Sequence, residues 1–122
     1  MNSNKDNSPL FSDLEVVKNE YSNRDYEINV SIPEFNCVCP RTGLPDFANI
    51  EINYTPNKGI VELKSLKLYI VKFRFLGIFH EHVTNKIFDD FKKACSPKRI
   101  EVVGHFHPRG GIKTSVRASS EE

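Results

Sequence analysis

Alternation of apolar and polar residues predicts four β-strands along the chain. They cover residues 26–35, which Pro33 is expected to end, and then residues 47–55, 99–106 and 112–116. The sequences PNKG at 56–59 and PRGG at 108–111 combine glycine with proline, as turns do. The strands therefore fall into two pairs, one in each half of the chain.

Two helices are predicted between the second and third strands. Residues 79–95 place apolar side chains every three or four positions, and Pro97 closes this helix. Its apolar stripe consists of Phe79, Val83, Ile87, Phe88, Phe91 and Cys95. Residues 61–73 are ambiguous, but helical spacing is kept by Leu66, Tyr69, Ile70 and Phe73. A helix here puts Lys64 and Lys67 on the face opposite these residues.

The resulting order of strand, strand, helix, helix, strand, strand is typical of an α+β fold, with an antiparallel sheet and two helices on one face. A chain of 122 residues suits a single domain, which we assign to residues 23–117. Residues 1–22 are an N-terminal segment whose polar start, residues 1–8, is expected to be disordered. Residues 118–122 are interpreted as a polar tail. An open sheet of this kind has edges that often join between subunits.

Composition and charge exclude several classes of function. The formal net charge is +1, with acidic and basic residues mixed along the chain, so no surface for nucleic acid or membrane is predicted. No apolar run reaches the roughly 18 residues of a membrane-spanning helix. The polar N-terminus is unlike a secretory signal. Three cysteines, an odd number, indicate reduced thiols in a cytoplasmic protein.

Cys39 is the strongest candidate for a reactive group. It precedes Pro40 at the entrance of a loop, with Arg41 close by. A partly exposed thiol near a cation tends toward the nucleophilic thiolate. Cys95, by contrast, lies on the apolar stripe of the second helix, as buried structural cysteines do.

Asp46 follows a turn that contains Gly43 and Pro45. Its carboxylate either caps that turn or, if the loop folds back, faces the same pocket as the Cys39 thiol. In the second arrangement, the thiol adds to a polarised carbon and the carboxyl group protonates the atom that gains charge. The two alternatives stay open at this point.

Glu81 lies in the first turn of the second predicted helix. It either stabilises the helix dipole or accepts two parallel N–H bonds from a guanine-like edge. The adjacent His80 would bond to the same ligand or help to move a proton.

Lys64 and Lys67 also have two interpretations. They form either a solvated surface or a phosphate-binding face, to which Arg109 of the PRGG turn would contribute. The glycines at 110 and 111 would permit close approach of a ligand to the backbone.

Three pairs of potential metal ligands occur at positions i and i+2. They are Cys37 and Cys39, His80 and His82, and His105 and His107. In a strand, i and i+2 point the same way, so His105 and His107, at the end of the third predicted strand, could chelate zinc. On a helix these positions diverge by about 200°, and the cysteine pair lacks the spacing common in zinc sites. The pattern therefore argues against a zinc site.

Four segments carry the candidate catalytic and ligand-binding residues. They are CPRTGLPDFA at 39–48, VELKSLKLY at 61–69, FHE at 79–81 and IEVVGHFHPRGGI at 100–112. In this order and spacing, over most of residues 35–115, the chain resembles the QueF family. These are the NADPH-dependent 7-cyano-7-deazaguanine reductases of queuosine biosynthesis. The sequence ELKSLKLY at 62–69, which we call the lysine-bearing motif, matches a signature of the family. The chain length is similar to that of the family's short, single-domain branch.

The resemblance implies the tunnelling fold, with the element order ββααββ. It also implies a homo-oligomer, a decamer of two pentameric rings, in which the sheets join into a barrel and the sites lie at subunit interfaces. The implied substrate is a small 7-deazaguanine, with neither nucleic acid nor membrane as a partner.

The resemblance further implies a reaction and its residues. Cys39 would attack the nitrile carbon to form a thioimide, and Asp46 would donate a proton to the nitrile nitrogen. Two NADPH molecules would deliver two hydrides, giving 7-aminomethyl-7-deazaguanine without a metal. Implied substrate contacts are Val61, Glu62, Leu63, His80 and Glu81. Implied NADPH contacts are Lys64, Ser65, Lys67, Arg109 and Gly110.

One position departs from the family, because Leu63 stands where many members have serine and cannot offer a side-chain hydrogen bond. Three alternatives are kept. They are an archaeal amidine-forming relative that acts on tRNA without NADPH, a zinc-dependent pterin-type enzyme, and a binding module without catalysis. The lysine-bearing motif and the near-neutral charge favour the reductase over the first of these.

Overall fold

The computed structural model describes residues 7–120 as two antiparallel sheets with two α-helices. The strands are β1 (Val16–Lys18), β2 (Ile28–Val38), β3 (Pro45–Thr55), β4 (Gly59–Val61), β5 (Arg99–Arg109) and β6 (Ile112–Ser119). The helices are a short 3₁₀ helix (Phe11–Asp13), α1 (Leu63–Val71) and α2 (His80–Cys95). Among residues 7–120, no helix is long and apolar enough to cross a membrane.

The main layer is a four-stranded antiparallel sheet in the order β2-β3-β5-β6, while β1 and β4 form a separate pair. Side chains alternate along β3, so that Ile52 is buried and its neighbour Asn53 is not. The helices pack on the buried face, where Tyr54 of β3 meets Phe91 of α2 with ring centroids 4.8 Å apart. The predicted α+β fold, with an antiparallel sheet and two helices on one face, is thus confirmed.

β2 does not end at Pro33, so that prediction is wrong. The pairing of β2 with β3 shifts register between Ile32 and Phe35. Such a bulge accommodates a proline, which has no N–H for the ladder. β3 also begins earlier than predicted, at Pro45, and this puts Asp46 inside a strand, opposite Cys37.

The last two strands run further than predicted, to Arg109 and to Ser119. The turn between them shortens to Gly110 and Gly111, whose φ angles of 59° and 80° are positive. Glycine adopts this conformation at little cost, and two such residues in a row are typical of tight hairpins. Residues 118 and 119 therefore belong to β6 rather than to a polar tail, whereas residues 121–122 lie outside the described range.

Both predicted helices are present, with later starts. α1 begins at Leu63 because the Glu62 side chain caps its first turn. α2 begins at His80, so Phe79 precedes the helix and is 42% exposed instead of belonging to the apolar stripe. Ser96 ends α2 in the left-handed conformation, just before Pro97.

The segment before β2 is partly integrated into the domain. β1 pairs with β4, and Leu14 lies in the core. Asp13 also forms an ion pair with Lys72 at the end of α1, with a distance of 3.0 Å. A strand of three residues is too short for an alternating pattern, which explains why the sequence did not predict it. The predicted disorder of residues 1–8 falls mainly on residues 1–6, which lie outside the described range.

Gly104 of β5 lies directly against α2. A Cβ at this position would lie 2.6 Å from Thr84 Oγ1 and 2.8 Å from Phe106 Cε1. We expect Gly104→Ala to destabilise the fold by about 1–3 kcal/mol, since a packed core must shift to admit the methyl group. Urea denaturation would measure this. Gly77→Ala is the control, because its Cβ would lie 3.6 Å from the nearest atom and should change stability little; equal effects of the two variants would contradict this packing argument.

Candidate active site

One pocket of about 380 Å³ gathers five of the sequence-predicted site residues. Its lining consists of Cys39, Pro40, Thr42, Asp46, Phe79, His80, Glu81 and Arg109. These residues come from the loop after β2, the start of β3, the start of α2 and the end of β5. The structure thus brings Cys39, Asp46, His80, Glu81 and Arg109 together, and we call this site the thiol pocket.

The loop between β2 and β3 folds back on itself. The Cys39 N–H donates to the carbonyl oxygen of Leu44, and the Gly43 N–H donates to that of Cys39, both at 2.9 Å. Gly43 has a positive φ of 74°, which the tight turn requires. The fold of this loop returns Asp46 to the side of the thiol, so Asp46 does not cap the turn.

Hydrogen bonds to Cys39 favour its thiolate form. The Thr42 hydroxyl lowers the pKa of this thiol most, followed by the backbone N–H groups of Thr42 and Arg41. Arg41 therefore acts through its backbone, whereas the sequence suggested its cationic side chain. Burial raises the pKa of Cys37 to about 12, with Asp46 adding to the effect, and burial raises that of Cys95 to about 11. Of the three cysteines, Cys39 is the one whose surroundings favour the thiolate.

We expect Thr42→Val to slow alkylation of Cys39 by iodoacetamide at pH 7 by about threefold to tenfold, the effect of losing one hydrogen bond. Loss of the hydroxyl raises the pKa of the thiol, so the pH–rate profile should move to higher pH. Thr42→Ser keeps the hydroxyl and should behave like the unchanged protein. An unshifted profile in Thr42→Val would contradict this role of Thr42.

Asp46 is 5% exposed and has a partner on each carboxylate oxygen. Arg109 Nη1 donates to Oδ1, and His80 Nε2 lies 3.2 Å from Oδ2. The His80 ring in turn stacks on Phe106, with centroids 3.9 Å apart and planes 5° apart. The carboxyl group is therefore held in one orientation at the wall of the pocket.

Phe79, His80 and Glu81, at the start of α2, line one side of the pocket. Glu81 is exposed in the first helical turn, where its carboxylate is free to meet a ligand as well as to interact with the helix dipole. The exposed ring of Phe79 packs edge-on against His82 at 5.8 Å. Sequence reasoning missed Thr42 and Phe79 as pocket residues, because Thr42 looked like a turn residue and Phe79 like a core residue.

The other predicted site residues lie elsewhere in the chain. Val61 is buried in β4, and its N–H donates to the Tyr54 hydroxyl at 3.2 Å. Leu63 is 64% exposed at the start of α1. Lys67 lines a groove of about 370 Å³ between β2 and α1. Lys64 lines a separate pocket at the start of α1, next to Asp13 and Glu15. Gly110 lies in the turn next to Arg109.

Glu62 and Ser65 are used within the fold. The Glu62 carboxylate accepts from the N–H groups of Lys64 and Ser65, at 2.8 and 2.7 Å, and these bonds lower its pKa. The Ser65 hydroxyl donates to the Glu62 carbonyl oxygen at 2.7 Å and accepts from the Glu15 N–H at 2.9 Å. The side chains left for an anionic ligand on this helix are those of Lys64 and Lys67, which are exposed.

The paired histidines and cysteines do not converge. Cys37 lies in the core, His105 is exposed with Nδ1 3.4 Å from Ser115 Oγ, and His107 lies near the ring of Phe47. Within residues 7–120, no three His, Cys, Asp or Glu side chains lie close enough together to hold a metal ion. The structure thus offers no support for the zinc alternative.

Comparisons with known proteins agree with one another. The family model described as QueF-like protein matches residues 45–122. Relatives named NADPH-dependent 7-cyano-7-deazaguanine reductase include one from Chloroherpeton thalassium, 56% identical over 88% of this chain and 93% of its own. Another, from Aquifex aeolicus, is 52% identical over 89% of this chain and 84% of its own.

A solved structure has the same fold. The crystal structure of the archaeosine synthase QueF-Like in the apo form superposes with a TM-score of 0.72, over 77% of this chain and 92% of that one. The sequence identity is 20%, so the likeness concerns the fold alone.

Proposed function

Since this chain belongs to the QueF family, we propose that it is an NADPH-dependent nitrile reductase that converts 7-cyano-7-deazaguanine to 7-aminomethyl-7-deazaguanine. The observation that carries this proposal is the thiol pocket, in which Cys39, whose pKa is lowered by hydrogen bonds from Thr42 and Arg41, lies beside the buried carboxyl group of Asp46. Two relatives named NADPH-dependent 7-cyano-7-deazaguanine reductase match 88% and 87% of the chain, which supports the proposal. The reduced thiol that the reaction needs is consistent with a cytoplasmic location.

The first step is covalent addition to the nitrile. The Cys39 thiolate donates an electron pair to the nitrile carbon, and one π pair of the C≡N bond moves to nitrogen, which takes a proton from Asp46. The product is a thioimide. A C=N bond accepts hydride more readily than a C≡N bond, so the addition divides one difficult reduction into easier steps. The pair of Cys39 and Asp46 in one pocket supports this assignment.

We assign binding of the deazaguanine base of the substrate to the first turn of α2. Glu81 is exposed at the pocket, and its carboxylate can accept two parallel N–H bonds from the guanine-like edge. His80 is fixed by Phe106 and by Asp46, and offers a flat side chain at the same wall. Val61 and Leu63 would contact the substrate from another chain, while Glu62 would act by shaping the start of α1.

The exposed lysines of α1 fit the phosphate groups of NADPH, which when bound supplies hydride. Lys64 and Lys67 offer cationic donors to such an anion. The first N–H groups of α1 are not available, because Glu62 already accepts from them. We expect lysine side chains, rather than the helix start, to bind the cofactor.

An oligomer would bring the lysines of α1 together with the residues of the thiol pocket. In one chain, the α1 lysines do not line the thiol pocket. Both β2 and β6 are edges of the main sheet and offer unpaired backbone groups. We propose that sheets of neighbouring subunits join at these edges into a barrel, in two stacked pentameric rings, so that α1 of one subunit faces the thiol pocket of the next.

Lys67→Ala should raise the apparent KM for NADPH by about tenfold, the worth of one charge-assisted contact to a phosphate. Formation of the thioimide without NADPH should keep its rate, since the lysine binds only the cofactor. Initial rates over a range of NADPH concentrations, together with the mass of the protein adduct, would measure both. If the adduct disappears and KM is unchanged, Lys67 faces the substrate instead.

Product analysis tests the proposed function against its nearest alternative. The protein is mixed with 7-cyano-7-deazaguanine and NADPH, and the released base is identified by mass spectrometry. The primary amine, four hydrogen atoms heavier than the nitrile, supports the reductase. An adduct on Cys39 that NADPH does not discharge would favour the amidine-forming reaction.

A further inference from the structure

Phe106 lies against the imidazole ring of His80 and does not itself line the thiol pocket. It is 1% exposed on β5, and the two ring centroids lie 3.9 Å apart with their planes inclined by 5°. The other aromatic pairs within residues 7–120 are inclined by 37° to 82°. The face-to-face stack therefore distinguishes His80 from the aromatic packing elsewhere in the described part of the chain.

We propose that Phe106 is a positioning residue for His80. Its flat face sets the plane of the imidazole ring, so that the ring meets the deazaguanine base of the substrate in one orientation. This inference rests on the proposed function, in which His80 and Glu81 bind that base. Phe106 acts through His80, since it is buried and is not among the residues that line the pocket.

The imidazole ring needs a partner of this kind because rotation about the bond to the ring is only weakly restricted. Torsion angles that end in a flat group have broad minima, unlike those between tetrahedral carbons. The His80 side chain is 20% exposed, so solvent alone would leave its ring free to turn. A turned ring would push an edge into the phenyl ring of Phe106, and the stack prevents this. Nε2 of His80 thus stays 3.2 Å from Oδ2 of Asp46, and the exposed part of the ring stays at the pocket.

The backbone of His80 is held as well as its ring. Thr84, one turn further along α2, is fully buried, and its hydroxyl group donates to the His80 carbonyl oxygen at 3.2 Å. Gly104 makes room for both supports, since a Cβ there would lie 2.6 Å from Thr84 Oγ1 and 2.8 Å from Phe106 Cε1. These three supporting residues do not line the thiol pocket, so an effect of theirs on a bound base passes through His80.

Binding of the substrate tests the proposal before any chemistry takes place. Cys39→Ala cannot form the thioimide, so calorimetry of this full-length variant with 7-cyano-7-deazaguanine measures the dissociation constant of the complex. In that background we expect Phe106→Leu to raise the dissociation constant by about threefold to tenfold, the worth of one aromatic pair. Leucine keeps the site apolar but offers no flat face to the imidazole ring.

A second background separates positioning from a general effect on the fold. When His80 is also replaced by alanine, there is no ring to orient, so Phe106→Leu should raise the dissociation constant no further. In the protein that keeps Cys39, Phe106→Leu should leave alkylation by iodoacetamide unchanged, because the hydrogen bonds from Thr42 and the backbone remain. Circular dichroism checks that each variant is folded, and Phe106→Met replaces Phe106→Leu if the leucine variant is not.

Phe91→Leu is the matched control. Phe91 lies on α2, is fully buried and pairs with Tyr54 at 4.8 Å. The change of side chain is the same and also removes an aromatic pair, but neither ring of this pair lines the thiol pocket. We expect this variant to lose a similar amount of stability and to keep the dissociation constant of the unchanged background.

Different failures have different meanings. An unchanged dissociation constant in Phe106→Leu would overturn the positioning role. Equal weakening by Phe91→Leu, or further weakening by Phe106→Leu in the variant without His80, would also overturn it, since either result indicates a general effect on the fold. If Cys39→Ala binds no nitrile and the unchanged protein forms no adduct, the proposed function itself is wrong and this inference falls with it.

Discussion

Replacement of Cys39 by alanine should abolish the covalent adduct and reduce turnover at least about 10³-fold, because the reaction loses its nucleophile. The structure distinguishes this cysteine from the other two. Cys39 is partly exposed in the thiol pocket with a lowered pKa, while burial keeps Cys37 and Cys95 as thiols. Intact mass of the protein after mixing with the nitrile, and the steady-state rate with NADPH, would measure the two effects.

Cys95→Ala is the control for this experiment. Cys95 lies on the buried face of α2, far along the helix from His80 and Glu81. The variant should keep both the adduct and the turnover, with at most a small loss of stability from the smaller side chain. Full turnover in Cys39→Ala would contradict the covalent mechanism, and equal alkylation of Cys39 and Cys95 would favour a binding module without catalysis.

Replacement of Asp46 by asparagine should slow adduct formation by about 10²–10⁴-fold, the usual contribution of a positioned general acid. Asparagine has the same shape and can keep a contact with Arg109, but it cannot donate the carboxyl proton. The rate of adduct formation without NADPH isolates this step from hydride transfer. The Cys39 thiol should stay reactive toward iodoacetamide, because the Thr42 and backbone hydrogen bonds are unchanged.

Glu51→Gln is the matched control for Asp46→Asn. Glu51 lies on the same strand, but on the opposite face of the sheet, where it bonds to Asn29 and Ser31. Its adduct rate should be unchanged. If Asp46→Asn formed the adduct as fast as the unchanged protein, the proton would have to come from another group, and His80 at 3.2 Å would be the first candidate.

The sequence predicted those parts of the fold that follow local periodicity. Alternation along residues 47–55 and the helical stripe in residues 79–95 correspond to β3 and α2, because each element buries one regular face. β1 was missed, since three residues carry no period. The end of β2 was misplaced at Pro33, because a bulge within a paired strand leaves no local signal.

The thiol pocket was predictable only in part. Cys39 and Asp46 are seven residues apart, and the Gly–Pro turn between them suggested that they could meet. Arg109 is 63 residues from Asp46, and neither position carries a pattern that reveals the contact. The capping role of Glu62 was missed because the sequence analysis considered this residue only as a substrate contact, which stays a prediction.

The ratio of NADPH oxidised to amine formed tests the central claim most directly. The full-length protein is mixed with 7-cyano-7-deazaguanine and NADPH, the loss of reduced nicotinamide is followed by absorbance, and the amine is quantified. The account predicts two NADPH per amine, with no reaction in Cys39→Ala. An adduct on Cys39 without oxidation of NADPH, or oxidation without the amine, would contradict it.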